Sequence, residues 1–537
     1  MPSRAPRLRS ARRLRSDPDG IKQLLTDYRC WMQSWLLRLS VAAPSRAIPW
    51  IPLGVGAAWA ALLALFSNLR LERLSIPAFD TAYFQQLVWG LAHGHPFQAS
   101  FLQGNFLGLH FSPILALPAL LELAVPGAQA LTLASAAALG LVAPTAFLAC
   151  REILPKTPTG TGLAVVLATV LPFTPPLQEA AWSGFHPEEL ALPALLLASW
   201  AMLSGRRVMA VPLIGLALLA KEDQAYQVAV LGILLAADRG HRRIGRLIAG
   251  VALLWGVVLL LLVMPWFRQG MVTDTATYYS WLTVGGPGAI FSSERLSEMG
   301  RLLLQPQAWR ALGLTLVALC LLPLLRPRFA ALAAPPLLVA LLSLHQPQPQ
   351  LQLQYALPVV FPLVLAAALG GRRLLQVWQP RAVAVAGAVT PGVVVALAGS
   401  LVLPLFAYIQ RPEPSELGGV HAAMALVPAG AELDADDDLA VAVASRRELH
   451  LLPHTSPTAF VLVDSAARIP AYSDRQARNR SVAALRLDRR LLWTNGRLEL
   501  WSPAASDGWQ PRGNHRPVGG LLPPTMRRFD PIPPDSA

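Results

Sequence analysis

The residues able to do chemistry in this chain fall in four short polar stretches set among long apolar ones. They are FDTAYFQQLVWG at 79 to 90, LGLHFSP at 107 to 113, GFHPEE at 184 to 189 and KED at 221 to 223. Asp80, flanked by Phe79, Tyr83 and Phe84, is a candidate general base, because a carboxylate drawn toward an apolar surface holds its proton more tightly. Asp is also a favoured N-cap, and Tyr83, Phe84, Leu87 and Val88 follow at helical spacing, so the residue has a purely structural reading as well. His110 offers an imidazole for proton transfer or a metal, or simply an interfacial hydrogen bond. His186, Glu188 and Glu189 surround Pro187 at a helix start, where proline suits the first position and acids suit the positive end of the dipole. The same groups could bind a metal or a hydroxyl. Lys221, Glu222 and Asp223 sit between two apolar arms of about fourteen residues each, where unpaired charges would be expensive. Lys221 suits a phosphate as a point charge, with internal pairing as the structural alternative.

Such residues need a scaffold, and composition says which kind. With 54% hydrophobic residues and 14% charged ones over 537 residues, the chain has more apolar side chains than one soluble core can hide. It reads as a polytopic membrane protein, mainly α. The net charge of +14 does not point to nucleic acid: residues 1 to 46 hold ten Arg or Lys against three Asp, so half of the excess lies in one tail. That tail, 1 to 47, reads as a cytoplasmic anchor facing anionic lipid. The first apolar run, Ile48 to Phe66, is too long for the core of a signal peptide and is kept as a transmembrane helix. Cys30, Cys150 and Cys320 have no metal spacing, and all fall near segments placed toward the cytoplasm, so no disulfide framework is expected.

Further spans are expected at roughly 129 to 149, 162 to 178, 188 to 204, 247 to 265, 308 to 325, 329 to 344, 355 to 370 and 382 to 408, with a tight or partly inserted hairpin at 208 to 237. One assignment turns Arg151 and Lys156, Arg206 and Arg207, the run 238 to 246, Arg326 and Arg328, and Arg372 and Arg373 all inward. It gives about 11 transmembrane helices within a domain at 48 to 409, the amino end inside and the carboxyl end outside. Residues 110 to 125, short and holding Pro113, Pro118 and Glu122, must then be a re-entrant or interfacial helix inside or beside the first external loop, 68 to 128. The loop from Trp266 to about Gln307 carries Trp266, Phe267, Tyr278, Tyr279 and Trp281, suited to an interface belt or to stacking on a ligand.

Past residue 410 charges return with short alternating runs, ELHLL, AFVLVD and LLWTNGRLELW, the last split by Asn495 and Gly496 in a hairpin signal. A small external α/β domain is expected at 410 to 505, and a Pro-rich, disordered tail at 506 to 537. Asp434, Asp436, Asp437 and Asp438 lack the glycine and distal Glu of an EF-hand and read as a solvated turn.

FDTAYFQQLVW, HFSPI, FHPE and KED, in that order, together with QYALPVVFP at 354 to 362 and the external VPAGAEL and FVLVD, resemble a bacterial family of polytopic membrane proteins named only as a domain of unknown function (DUF2079). The family is similar in layout to the GT-C glycosyltransferases, integral membrane enzymes that move a sugar from a polyprenyl-phosphate carrier to an acceptor outside the cytoplasm. The resemblance implies a GT-C-like fold in a bacterial inner membrane, with Asp80 as the catalytic acid of the first external loop. It also implies Lys221 or an external Arg at the carrier phosphate, and His110, His186, Glu188, Glu222 and Tyr355 about the sugar. A divalent cation at His186 and Glu188 is the one cofactor it suggests. Relatives often have acids where this chain has Gln85 and Gly184, which puts a two-carboxylate site in doubt.

Three functions stay open at this point. One is a glycosyltransferase acting on a polyprenyl-phosphate-linked sugar at the bilayer surface, with an unassigned acceptor. The others are a carrier or flippase for a lipid-linked cell-envelope precursor, since broken helices and intramembrane charges also mark transport paths, and a noncatalytic membrane scaffold.

Overall fold

The computed structural model describes residues 50–78, 80–101, 104–268, 270, 277–283, 291–378, 402–467 and 474–504. The basic leader, the Pro-rich tail and most of the span expected at 382 to 408 lie outside these residues. The chain divides into two compact units. The first holds residues up to Leu69, Leu87–Gln98 and Leu102–Pro412; the second holds Arg70–Gln86, Ala99–Phe101 and the chain from Glu413 onward.

The first unit is helical. Among the described residues five helices are long and apolar enough to cross a membrane: Trp50–Glu72, Gln129–Ile153, Pro158–Ser183, Arg242–Arg268 and Leu353–Val377. Each matches an expected span, but the count of about 11 is not confirmed. Of the other six, 188 to 204 is the 17-residue helix Pro187–Leu203, and the expected hairpin is two short helices, Arg207–Leu218 and Gln224–Ala236. At 1.5 Å per residue a 12-residue helix covers about 18 Å, short of a hydrocarbon core of about 30 Å. The pair at 308 to 344 is shortened by its own backbone. Helix Pro306–Ala318 ends at Cys320 and Leu321, both in the left-handed region, and 3-10 turns then break the path to helix Ala334–Leu341. Only Val402–Gln410 is described of the last span.

Residues 113 to 122 form a 3-10 turn followed by a seven-residue helix, too short to span and consistent with the re-entrant or interfacial expectation. Close packing organises the longer helices. A Cβ at Gly140 would lie 2.6 Å from that of Ala60, so glycine lets helix Gln129–Ile153 seat against Trp50–Glu72. Phe66 then meets Trp182 and Tyr408 edge to face, at 4.7 and 5.2 Å between centroids. Helix Arg242–Val258 continues through a π stretch, Leu259–Val263, and turns Leu253, Leu254, Leu260, Leu261 and Leu262 outward, an apolar face suited to lipid. Cys150 and Cys320 are buried thiols.

The second unit contains a five-stranded sheet. The strands are β1 (Leu433–Ala435), β2 (Leu449–Leu451), β3 (Phe460–Asp464), β4 (Leu491–Thr494) and β5 (Leu498–Trp501), ordered β2-β1-β3-β5-β4. β1 pairs parallel with β2 and β3, and helix Asp437–Val443 makes the β1 to β2 crossover. Central β3 is buried along its length, as FVLVD suggests. β4 and β5 form the expected hairpin, with one difference in its turn. Only Gly496 has positive φ, +93°, and Asn495 Oδ1 instead accepts from the N–H groups of Arg497 and Leu498 at 3.0 and 2.7 Å, an Asx-type turn.

The acidic run is a correction. Asp434, Asp436 and Asp438 are 0, 3 and 5% exposed, not solvated: Asp434 lies on β1, and Asp436 and Asp438 lie at the start of the helix that follows it. Arg478 takes Asp436 bidentately, and although burial pushes the Asp436 carboxyl up, the guanidinium opposes it.

Candidate functional site

The KED turn joins helices Arg207–Leu218 and Gln224–Ala236, and two charge pairs grow out of it. Glu222 reaches residues 112 positions away: His110 Nδ1 lies 2.8 Å from its Oε1, and the Phe111 N–H donates to its Oε2 at 3.0 Å. The Ile114 N–H donates to Leu219 O at 2.9 Å, so the 110 to 115 segment is tied to the same turn by backbone as well. Lys221 Nζ, on the neighbouring residue, lies 2.5 Å from Glu188 Oε1. Lys221 is 17% and Glu188 5% exposed, so both are mostly withdrawn from water, where a lone charge would be costly. Asp223 is exposed, and Gln224 Nε2 donates to it at 2.9 Å.

Glu188 stands where the helix Pro187–Leu203 begins. Pro187 occupies the first turn, and Glu189 Oε1 accepts from the His186 N–H at 3.1 Å, half of a capping box. His186 Nδ1 lies 3.1 Å from Gly184 O, and Gly184 itself holds φ +94°, which lets the chain turn sharply from helix Pro175–Ser183 into this start. The HPEE motif is therefore both a well-made helix start and the acidic half of a buried charge pair. The second oxygens of Glu188 and Glu189 are buried and accept no hydrogen bond from the described residues. Glu188 also faces a recess shared with Gln224, Gln227, Leu357, Pro358 and Phe361, barely large enough for one water molecule.

His110, His186, Glu188, Lys221 and Glu222 thus meet from three separate stretches of sequence within the first unit. Tyr355 stands two residues before Leu357, which lines that recess; its ring meets His345 edge to face at 5.9 Å, and His345 stacks on Tyr278 at 4.6 Å. Tyr279 and Trp281 donate to Val339 O and Leu342 O at 2.8 and 2.9 Å. Those two aromatics of the 266 to 307 loop thereby anchor it on the helix that precedes the HQPQPQ link. Glu179, which lies outside the four polar stretches, accepts the Leu353 N–H at 3.2 Å and holds the start of the last long helix.

Asp80 belongs to the second unit. It directly precedes helix Thr81–Ala92, at the N-cap position, with φ +70°. A non-glycine residue in that region is uncommon, with Asp and Asn the best tolerated, and such backbone gathers at functional sites. Its carbonyl accepts the Phe84 N–H at 2.8 Å, which starts the helix. One turn on, Gln85 Nε2 donates to Ser445 Oγ at 3.0 Å, and Gln86 Nε2 to the carbonyls of Arg446 and Arg447 at 3.0 and 2.9 Å. The two glutamines fasten the motif to the loop before β2. No spacing within the motif foretells a partner 360 residues away.

A family model described as "Predicted membrane protein (DUF2079)" matches residues 70–485. Among solved structures, the apo oligosaccharyltransferase of Archaeoglobus fulgidus is similar at a TM-score of 0.40 and 14% identity, over 76% of this chain and 69% of that one. No curated protein matches the chain in sequence. With more than three quarters of its length under one family model, the chain belongs to the DUF2079 family of predicted membrane proteins.

Proposed function

We propose that this protein is a membrane glycosyltransferase that moves a sugar from a polyprenyl-phosphate carrier to an acceptor outside the cytoplasm. The observation that carries the reading is the convergence of His110, His186, Glu188, Lys221 and Glu222 on one largely buried charged cluster between apolar helices. A membrane protein built only for stability would do as well with apolar side chains there, since buried ion pairs seldom outdo a hydrophobic replacement. The GT-C-like layout that the family resemblance implies supports the same reading.

In this mechanism Asp80 takes the proton of the acceptor hydroxyl as its oxygen attacks the anomeric carbon. The bond from that carbon to the phosphate oxygen breaks, and polyprenyl phosphate leaves with both electrons. Lys221 balances the phosphate charge, exchanging part of its contact with Glu188 for the lipid headgroup. Glu222 and His110 hold the KED turn in place, and His186, Glu188 and Tyr355 contribute to sugar binding. The divalent cation that the resemblance suggests at His186 and Glu188 fits poorly there, because the Lys221 ammonium already lies 2.5 Å from Glu188 Oε1 and would repel it. The phosphate is already a good leaving group, so most of the catalysis is positioning.

The carrier or flippase reading draws on the same charges and on the two short helices beside them, a pattern also found along transport paths. Donor consumption separates the two. A transferase cleaves polyprenyl-phosphate sugar in an Asp80-dependent way, and a carrier leaves the donor intact while moving it across vesicles.

A further inference from the structure

Three side chains in the second unit take no part in that chemistry. Asp434 and His450 are register partners on the adjacent parallel strands β1 and β2, which puts them on one face of the sheet. A turn closed by the His454 N–H on Leu451 O, 3.0 Å, carries His454 back to the same place. The two imidazoles stack there at 4.6 Å between centroids. One ligand atom from each of the three residues falls within 4.8 Å of the others.

The polar atoms at the centre of this group are unsatisfied. Asp434 is fully buried, and its Oδ2 is fixed by the Ser456 N–H at 2.7 Å. Its Oδ1 accepts no hydrogen bond from the described residues and faces His454 Nδ1 at 3.5 Å and His450 Nδ1 at 4.0 Å. His450 Nδ1 is likewise buried with no hydrogen-bond partner among the described residues. Leaving a carboxylate oxygen and a ring nitrogen both desolvated and face to face is costly unless something sits between them. A proton could join one pair, but a cation would satisfy all three groups.

We propose that Asp434, His450 and His454 form a binding site for a divalent transition-metal ion, with zinc the best match. Two imidazole nitrogens and one carboxylate oxygen suit zinc and disfavour calcium or magnesium, which take oxygen ligands. Zinc ligand bonds of about 2.0–2.2 Å set neighbouring ligand atoms roughly 3.4 Å apart, a small contraction of the present cluster. His454, on an exposed loop and 56% exposed, is free to make it. The Ser456 N–H on the second carboxylate oxygen is the outer contact that aims the first at the ion. Bound there, the ion would clamp β1, β2 and the 451 to 456 turn.

The test is titration of Zn2+ alone into the chelator-treated full-length protein in detergent, by calorimetry and by thermal unfolding. Wild type should bind one ion per chain and unfold at higher temperature with zinc than without. His454→Ala removes an exposed ring without opening the core, and it should weaken binding by about tenfold or more and abolish the zinc-dependent stabilisation. His421→Ala, an exposed histidine of the same unit outside the cluster, should bind as wild type does. No binding by folded wild type overturns the proposal, as does undiminished affinity in a His450→Ala, His454→Ala double variant.

Discussion

Lys221 and Glu188 lie 2.5 Å apart at the junction of the KED turn and the HPEE helix start, both withdrawn from water. Removing one charge strands the other, whereas removing both leaves an apolar contact. Lys221→Met should cost about 3–5 kcal/mol in stability, and Lys221→Met with Glu188→Leu should recover most of it. Thermal unfolding of the detergent-solubilised variants reads this directly. If Lys221 serves the carrier phosphate, the double variant should be stable yet inactive; a stable and fully active double variant would reduce the pair to structure.

Glu222 serves His110 and the Phe111 N–H at once. Glu222→Gln keeps one acceptor for the backbone and loses the charged partner of the imidazole. A stability loss of about 1.5–3 kcal/mol is expected, the range for a hydrogen bond to a charged group. Hydrogen exchange should quicken at residues 110 to 115 before it does anywhere on the long helices. Unchanged exchange there would mean that the Ile114 to Leu219 backbone bond alone holds the segment.

Arg497 grips fully buried Asp464 with two nitrogens, Nε to Oδ1 at 2.9 Å and Nη2 to Oδ2 at 2.6 Å, and also meets Glu416 at 3.2 Å. Its hydrogen bonds to Asp464 hold the guanidinium proton more tightly than usual. Arg497→Met should destabilise the second unit by about 3–5 kcal/mol, because an uncompensated carboxylate stays buried in β3. Limited proteolysis within 413 to 504 should become faster while the helical unit resists.

Ser100 caps the free edge of β2. Its Oγ donates to Leu449 O at 2.5 Å and accepts the Leu449 N–H at 2.9 Å, and Gln86 holds it in turn at 2.9 Å. Ser100→Ala exposes an edge strand, with a cost of about 1–2 kcal/mol and faster exchange at Leu449. Protection unchanged at Leu449 would contradict this clasp.

Much of this architecture is legible in the chain, and the reasons it stops are physical. Long apolar runs and basic flanks locate the five long helices among the described residues, and the two arms about KED appear as short helices because their apolar runs are themselves short. The same runs do not fix the number of full spans. Hydropathy does not register the left-handed backbone at Cys320 and Leu321 that ends a helix early. Lys221 and Glu188 are readable as charges in apolar surroundings, but their pairing depends on how helices pack. Asp434 is hidden by its neighbours: four acids in five residues look solvated until a three-residue strand turns the first of them inward. Gln85 and Gln86 look like a departure from an acidic pattern, and their amides instead fasten the motif to Ser445 and the carbonyls after it.

The topology has its own test. Single cysteines at positions 105, 184 and 346, in a background without Cys30, Cys150 and Cys320, should react with a membrane-impermeant thiol reagent from outside the cell. Inward labelling at any of the three would split the polar stretches between two membrane faces.

The most direct measurement of the central claim is donor cleavage by purified protein in a membrane environment, across a panel of radiolabelled polyprenyl-phosphate sugars, for wild type and Asp80→Asn. A general base in this position predicts release of polyprenyl phosphate from at least one donor by wild type, with a loss of about 10²–10⁴-fold in Asp80→Asn of equal thermal stability. Equal rates in the two proteins, or an untouched panel with folded wild type, would contradict a transferase built on Asp80.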